Sequence, residues 1–364
     1  MSKLIEYVKE YGHLSFKEEP YNQIDAAIFS QLSIFNLDDI VGDGIRMKDL
    51  FQLYLAKGHK VQDRVNFLMT NIQHYLFEAL SNYPRYKDLI VSNYVRINCR
   101  ETICQFEALT IDLGEEVVIS YGGTDDTLVG WHEDFLLIYR EIEAHRLGRE
   151  YLEKISLTSD KNFFICGHSK GANIALEVSL SISDEIYDKV VRVDCFDGPG
   201  LCFNEYSKDV LDRRIEKVIS YIPKHSGIGR LFDHYETYKV VECHKRFAVQ
   251  HDLVFWEIEG KDFIYLDERS EDSFYLENHI SSTLSEMDME ERKGFVETIF
   301  KILYKTKSTN LEELSKRKIR VIFGYLGLKR KERKLVKRIL FKKLLKDKRV
   351  KKILFSALRE TKLS

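Results

Sequence analysis

Residues 163–177, FFICGHSKGANIALE, join a short apolar strand to a helix through a serine set between two glycines, and no other stretch constrains the fold as much. Phe163-Phe164-Ile165-Cys166 is a continuous apolar run of strand length, and Ala172–Ser183 carries a helical pattern. Between them, Gly167-His168-Ser169-Lys170-Gly171 fits the Gly-x-Ser-x-Gly pattern of a nucleophile elbow. The pentapeptide alone arises by accident in about one chain in ten of this length, so its setting carries the argument. Here the setting is the required one. The glycines remove side chains where the strand doubles back on the helix. The Ser169 hydroxyl then projects above the carboxyl ends of the strands, and the Lys170 N–H is left to face a developing negative charge. Ala172 and Ala175 suit close packing of that helix on a sheet.

The rest of the chain supplies the sheet. Ile24, Ile28, Leu32 and Phe35 recur at helical spacing from Asn22 onward, as do Val65, Leu68, Ile72, Tyr75 and Ala79 within Val61–Ser81, and Lys48–Ala56 reads the same way. From Tyr94 the period falls to two, predicting strands over Tyr94–Asn98, Thr102–Asp112 and Glu116–Tyr121. A helix is predicted over Trp131–Lys154, and strands over Val190–Phe196, Lys217–Ile222, Lys239–Cys243 and Leu253–Ile258, with a helix over Lys208–Glu216. The chain from about residue 270 reads as helical. Strands alternating with amphipathic helices predict an α/β fold with a largely parallel sheet, the strands around 94–121 forming an antiparallel extension. The expected division is an N-terminal helical segment over 1–90, a core over 91–270 and a basic helical region over 271–364.

Composition excludes several classes. There is no run of 18 apolar residues to cross a membrane, and the N-terminus lacks the unbroken apolar stretch of a signal peptide. A cytoplasmic protein is expected. The six cysteines are too sparse for a disulfide scaffold, and neither Cys-x-x-Cys nor His-Glu-x-x-His occurs, so no metal site is predicted.

A serine nucleophile needs a base and a second oxyanion donor. Val117–Tyr121 ends in Gly122-Gly123-Thr124, one βα unit before the elbow, so Thr124 is the second donor candidate beside Lys170, through its N–H and its hydroxyl. Among eleven histidines the order Ser…acid…His favours one beyond a late strand. His251, in Gln250-His251-Asp252, meets this, with His225, His234 and His244 in the same stretch.

Ser120-Tyr-Gly-Gly-Thr followed by Gly130-Trp131-His132-Glu133-Asp134-Phe135 is similar to the F-R-G-T…W-x-x-D segment of class 3 lipases. With Gly-His-Ser-Lys-Gly, the segment Phe16–Asp25, Phe196-Asp-Gly-Pro-Gly and Gln250–Trp256, the chain resembles a bacterial class-3-lipase-like family over roughly residues 10–260. The resemblance implies an α/β-hydrolase-like fold, a mainly parallel sheet flanked by helices, and serine acyl-hydrolase chemistry with no metal or organic cofactor. It also implies His251 as the base, since the lipase pattern sets a histidine several residues before a tryptophan, here Trp256. Two positions depart from the pattern. The lipase arginine is Gly122, and the strand Lys217–Ile222 is followed by Pro223-Lys224-His225-Ser226-Gly227, without a carboxylate. Asp197, capping Val190–Phe196, and Asp233, in Leu231-Phe232-Asp233-His234, remain as candidate acids, with Asp197 preferred.

Charge is unevenly placed. Lys316–Ser364 holds 20 Lys and Arg against three Asp and Glu, leaving 36 basic and 55 acidic residues in the rest. Leu335, Ile339, Leu340, Leu344, Val350, Ile353 and Leu354 recur near helical spacing among these cations. Such a segment packs on its own domain, or lies on an anionic membrane through residues 329–364; nucleic acid is disfavoured by the scarcity of interleaved aromatics. The expected function is a lipase- or esterase-like serine hydrolase cleaving an ester of a lipid or another acylated molecule. The alternative is a non-catalytic hydrolase fold that binds a ligand, a membrane surface or a protein partner.

Overall fold

The apolar runs and amphipathic stretches assemble into a nine-stranded sheet packed on both faces in the computed structural model, which describes residues 2–61, 69–202, 206–344 and 346–353. The chain opens with α1 (Lys3–Tyr11), α2 (Gln23–Ser30), the edge strand β1 (Ile45–Arg46), α3 (Met47–Ala56), α4 (Ile72–Asn82) and α5 (Pro84–Lys87). Strands β2 (Ile90–Cys99), β3 (Cys104–Asp112) and β4 (Glu116–Tyr121) follow, then α6 (Leu128–Leu136) and α7 (Glu143–Thr158). Next come β5 (Asn162–His168), α8 (Lys170–Ser181), α9 (Asp184–Asp188), β6 (Val190–Phe196), α10 (Lys208–Arg214), β7 (Val218–Pro223) and β8 (Thr237–Val241). After α11 (Phe247–Gln250), a hairpin of β9 (Ile258–Glu259) and β10 (Asp262–Phe263) leads to β11 (Tyr265–Leu266). The rest is helical: α12 (Glu271–Ser285), α13 (Met289–Lys305), α14 (Leu311–Lys316), α15 (Lys318–Leu326), α16 (Arg330–Val336) and a π-helical turn over Lys337–Leu344.

Across the sheet the order is β1-β2-β3-β4-β5-β6-β7-β8-β11. From β4 to β8 every neighbouring pair is parallel, while β1, β2 and β3 extend one side and β11 the other by antiparallel pairing. This is an α/β-hydrolase-like fold. Parallel strands covered on both faces read as unbroken apolar runs, and every residue of β5 after Asn162 is buried. Phe164 belongs to the core on one face with Phe29, Phe196 and Trp256, and its neighbour Ile165 to the core on the other with Ile119, Ala172 and Phe295. The two faces thus draw on the N-terminal and C-terminal helices respectively.

The structure departs from the predicted elements in three places. The helix predicted over Trp131–Lys154 is two helices, α6 and α7, because the buried Glu133 carboxylate accepts from the Ala144 N–H at the start of α7 and from the Gln105 N–H of β3. Leu253–Ile258 is not a strand: Leu253–Phe255 forms a 3-10 turn capped by the Asp252 side chain, with Trp256 fully buried beneath it, and only Ile258 enters a strand. The helix predicted over Val61–Ser81 is seen as α4 from Ile72, and its positions Val65 and Leu68 lie outside the described residues, as does Leu354 in the tail.

Candidate active site

Ser169 stands between the last residue of β5 and the first of α8 with φ 58° and ψ −124°. A non-glycine residue held at such angles stores about 1–3 kcal/mol of strain and persists only where its surroundings fix it. They do so here. The Ser169 N–H donates to Phe196 O at 2.9 Å, and its carbonyl receives Ala172 N–H at 3.0 Å. A Cβ on Gly167 would stand 2.2 Å from Gly171 O, and one on Gly171 would stand 2.2 Å from Tyr121 O. Both glycines of the pentapeptide are therefore required by close approach of backbone to backbone. Lys170 is the first helical residue, and its N–H belongs to the turn that has no intrahelical acceptor.

His251 Nδ1 lies 2.7 Å from Asp197 Oδ2, and both residues are buried. The other Asp197 oxygen accepts from the Ser226 hydroxyl and, at 3.1 Å, from the Gly229 N–H. Of the two carboxylates left open by the sequence, Asp197 is the one at the imidazole. Asp233 instead pairs through its backbone with Leu201. Of the competing histidines, His234 is paired with Glu236, whose carboxyl is carried down to about 2 by hydrogen bonds that outweigh its burial.

The loop bearing His251 is fastened from several sides. His168, buried within β5, donates from Nε2 to the His251 carbonyl at 2.7 Å, and its ring lies 4.4 Å from the His251 ring. Burial, and then the neighbouring imidazole, push His168 well below the usual histidine range, so it is neutral. Trp256 Nε1 donates to Gln250 O at 2.8 Å. Asp252 accepts from Gln73 Nε2 at 2.6 Å and from the Thr70 N–H at 3.1 Å, tying the loop to the N-terminal segment. Sequence reasoning passed over His168; its signal was a histidine closing a fully apolar strand.

The Gly122-Gly123-Thr124 turn lies against the elbow: a Cβ on Gly123 would stand 3.6 Å from Ser169 Cβ. At Gly122 a side chain would meet Glu107 Cβ at 2.7 Å, so the arginine of the lipase pattern has no room. The Thr124 hydroxyl, expected as a second donor, instead donates a hydrogen bond to Asp134 Oδ2 at 2.8 Å. Burial raises the Asp134 carboxyl to about 7. A cation does stand nearby. The Lys170 ammonium is buried, donating to Glu133 Oε2 at 2.9 Å, to Gln105 O at 2.7 Å and to Gln105 Oε1. Burial alone would push it down, but Glu133 and then Asp134 overcome this and leave it raised.

Ser169, Lys170, Thr124 and His251 all line one cavity of about 360 Å³. Its other walls are mainly apolar, with Trp131 and Phe135 from α6 and Leu276, Phe295, Ile339 and Val350 from the C-terminal helical region. Trp131 Nε1 and Asp134 Oδ1 lie buried on this cavity without a hydrogen-bond partner among the described residues. The basic tail thus contributes to the site. Ile339, Val350 and Ile353 are buried and Leu335 and Leu340 partly so, which turns inward much of the apolar face on which the 329–364 membrane contact was predicted.

The model of the Mbeg1-like family matches residues 80–301, from the end of α4 to within α13. Among solved structures, the crystal structure of M37 lipase is similar, with a TM-score of 0.36 and 14% sequence identity over 57% of this chain and 70% of that one. Among curated proteins none matches.

Proposed function

We propose, from the premise that this chain belongs to the Mbeg1-like family, that it is a serine acyl-hydrolase of lipase- or esterase-like chemistry. The observation that carries the reading is the buried pair of His251 and Asp197 at 2.7 Å, with His251 lining the same cavity as a serine held at φ 58°. With Nδ1–H donated to Asp197, the imidazole keeps Nε2 as a proton acceptor, the tautomer that a serine hydroxyl needs.

In this mechanism Ser169 Oγ attacks the acyl carbon as His251 Nε2 takes the hydroxyl proton, and Asp197 stabilises the imidazolium. The Lys170 and Thr124 N–H groups hold the oxyanion of the tetrahedral intermediate. Collapse breaks the ester C–O bond, and the alcohol leaves with the proton from His251. Water, deprotonated in turn by His251, then attacks the acyl-enzyme, releasing the acid and restoring Ser169. The apolar cavity favours an ester with a hydrocarbon acyl group, such as a lipid, and the Trp131 N–H and Asp134 carboxyl offer polar contacts to the remainder of the substrate.

A fluorophosphonate probe tests this. It is expected to label the folded protein and to leave Ser169→Ala unlabelled, with turnover of short acyl esters lost in the same variant. Failure to label under conditions where a reference serine hydrolase reacts would overturn the proposal.

A further inference from the structure

The outward face of α15 carries Ile319, Ile322, Phe323 and Leu326, which are 69%, 58%, 67% and 55% exposed. Spacings of three and four place them on one stripe. The stripe faces outward because the opposite face is fastened down. Gly324 is buried so closely on α13 that a Cβ would stand 2.9 Å from Ile302 Cγ2. Arg320 donates to Thr306 O at 3.0 Å and Arg317 to Thr306 O at 3.2 Å, holding the helix to the end of α13. Leu328, just past the helix, is buried with Ile302 and Val336.

Cations flank the stripe along the chain. From Lys316 to Lys337 the sequence has ten Lys and Arg and a single acidic residue, Glu332. Lys318, Lys329, Arg330, Lys331, Arg333 and Lys334 are exposed. A run of large apolar side chains left in water calls for a covering surface, and flanking charge of this sign selects an anionic one.

We propose that α15 and the basic turn after it, residues 318–334, dock on an anionic lipid surface, with the apolar stripe among the acyl chains and the lysines and arginines at the headgroup phosphates. This places the contact ahead of the inward-turned Ile339, Val350 and Ile353. A second copy of this chain would bring the same cations to the stripe and be repelled. A nucleic acid would have no use for three aliphatic residues beside one phenylalanine. The α13 helix links the two features, since its Phe295 lines the cavity and its Ile302 supports α15. The inference does not rest on the catalytic reading of Ser169.

Flotation of the full chain tests it, carrying Ser169→Ala so that no turnover intervenes. Vesicles of phosphatidylcholine alone are compared with vesicles of phosphatidylcholine and phosphatidylglycerol in equal amounts. Binding is expected only to the anionic vesicles and is expected to fall as salt shortens the screening length. Ile322→Ser with Phe323→Ser, both on exposed positions, should weaken binding at least about tenfold with an unchanged melting curve. Lys329→Glu with Arg330→Glu should weaken it comparably, and carries the test if the first pair disturbs folding. Equal binding to neutral vesicles would overturn the proposal, as would full binding by the serine pair. A concentration-dependent dimer abolished by the serine pair, without vesicle binding, would assign the stripe to a second copy. Salt-sensitive binding of single-stranded RNA by both parent and serine pair, again without vesicle binding, would assign the cations to a polyanion.

Discussion

Asp197 holds His251 by one carboxylate oxygen, Oδ2 to Nδ1 at 2.7 Å, while its other oxygen is claimed by Ser226 and Gly229. Because both oxygens are engaged, the carboxylate is fixed toward the imidazole and fixes its tautomer in turn. Asp197→Asn preserves the shape but can present an N–H to Nδ1, favouring the wrong tautomer. We expect ester turnover to fall by about 10³–10⁴-fold, with the melting temperature little changed. Asp233→Asn, at a residue that bonds through its backbone, should leave turnover close to that of the parent. Comparable losses in the two variants would remove the special standing of Asp197.

The N-terminal helical segment reaches His251 through Asp252, the next residue in the chain. Gln73 Nε2 donates to Asp252 Oδ1 at 2.6 Å, and burial lifts this carboxyl to about 6. Gln73→Leu deletes the donor and leaves a buried oxygen less well satisfied. The expected cost is about 1–3 kcal/mol in urea unfolding, with slower fluorophosphonate labelling of Ser169 as the His251 loop loosens. A variant equal to the parent in both measurements would show that the loop is held without this contact.

How much of this was legible in the sequence follows from how local each determinant is. Strand, elbow and helix at 163–177 are specified within one stretch, and the backbone clashes at Gly167 and Gly171 are the reason the pattern exists. Asp197 was one of two readable choices because it ends a strand. What selects it is the packing of the Ser226–Gly229 loop against it, which no local pattern encodes. The break between α6 and α7 was hidden for a similar reason, since Glu133 reaches Gln105 on another strand. Leu253–Ile258 misled because a short apolar run does not distinguish a paired strand from a 3-10 turn followed by a buried Trp256. In the C-terminal region the helical repeat at 335–353 was readable, but which face meets the body was not. Gly324 and Ile302 turn a different stripe, on α15, to solvent.

The Lys170 ammonium is compensated by Glu133 within an enclosed site, each side chain almost without exposure. Removing one partner strands the other charge. Lys170→Met is expected to destabilise the fold by about 3–5 kcal/mol in chemical denaturation. Lys170→Met with Glu133→Leu should recover part of that loss, short of all of it because Glu133 also serves the Gln105 and Ala144 N–H groups. No recovery in the double variant would mean that the lysine acts by packing and not by charge.

Asp134 makes stability depend on pH in a direction opposite to that of a salt-bridged carboxylate. Its ordinary value is 3.8, and burial raises it to about 7 in the fold. Between those two values the unfolded chain has lost the proton that the folded chain retains. Raising the pH from about 4 to 7 therefore favours unfolding, and the decline levels off once both states are ionised. Glu107, raised by burial to about 7, and Asp252 slope the same way, so the measurement is the difference between parent and Asp134→Asn. Asparagine still accepts from the Thr124 hydroxyl but carries no titrating proton. Its stability curve should stay flatter by on the order of 1–3 kcal/mol across this interval, the partial exposure of the site reducing the full shift. Urea unfolding of both proteins at successive pH values reads the difference directly. Parallel curves would mean that Asp134 ionises as an ordinary carboxyl and that its unpartnered Oδ1 faces more water than the cavity walls suggest.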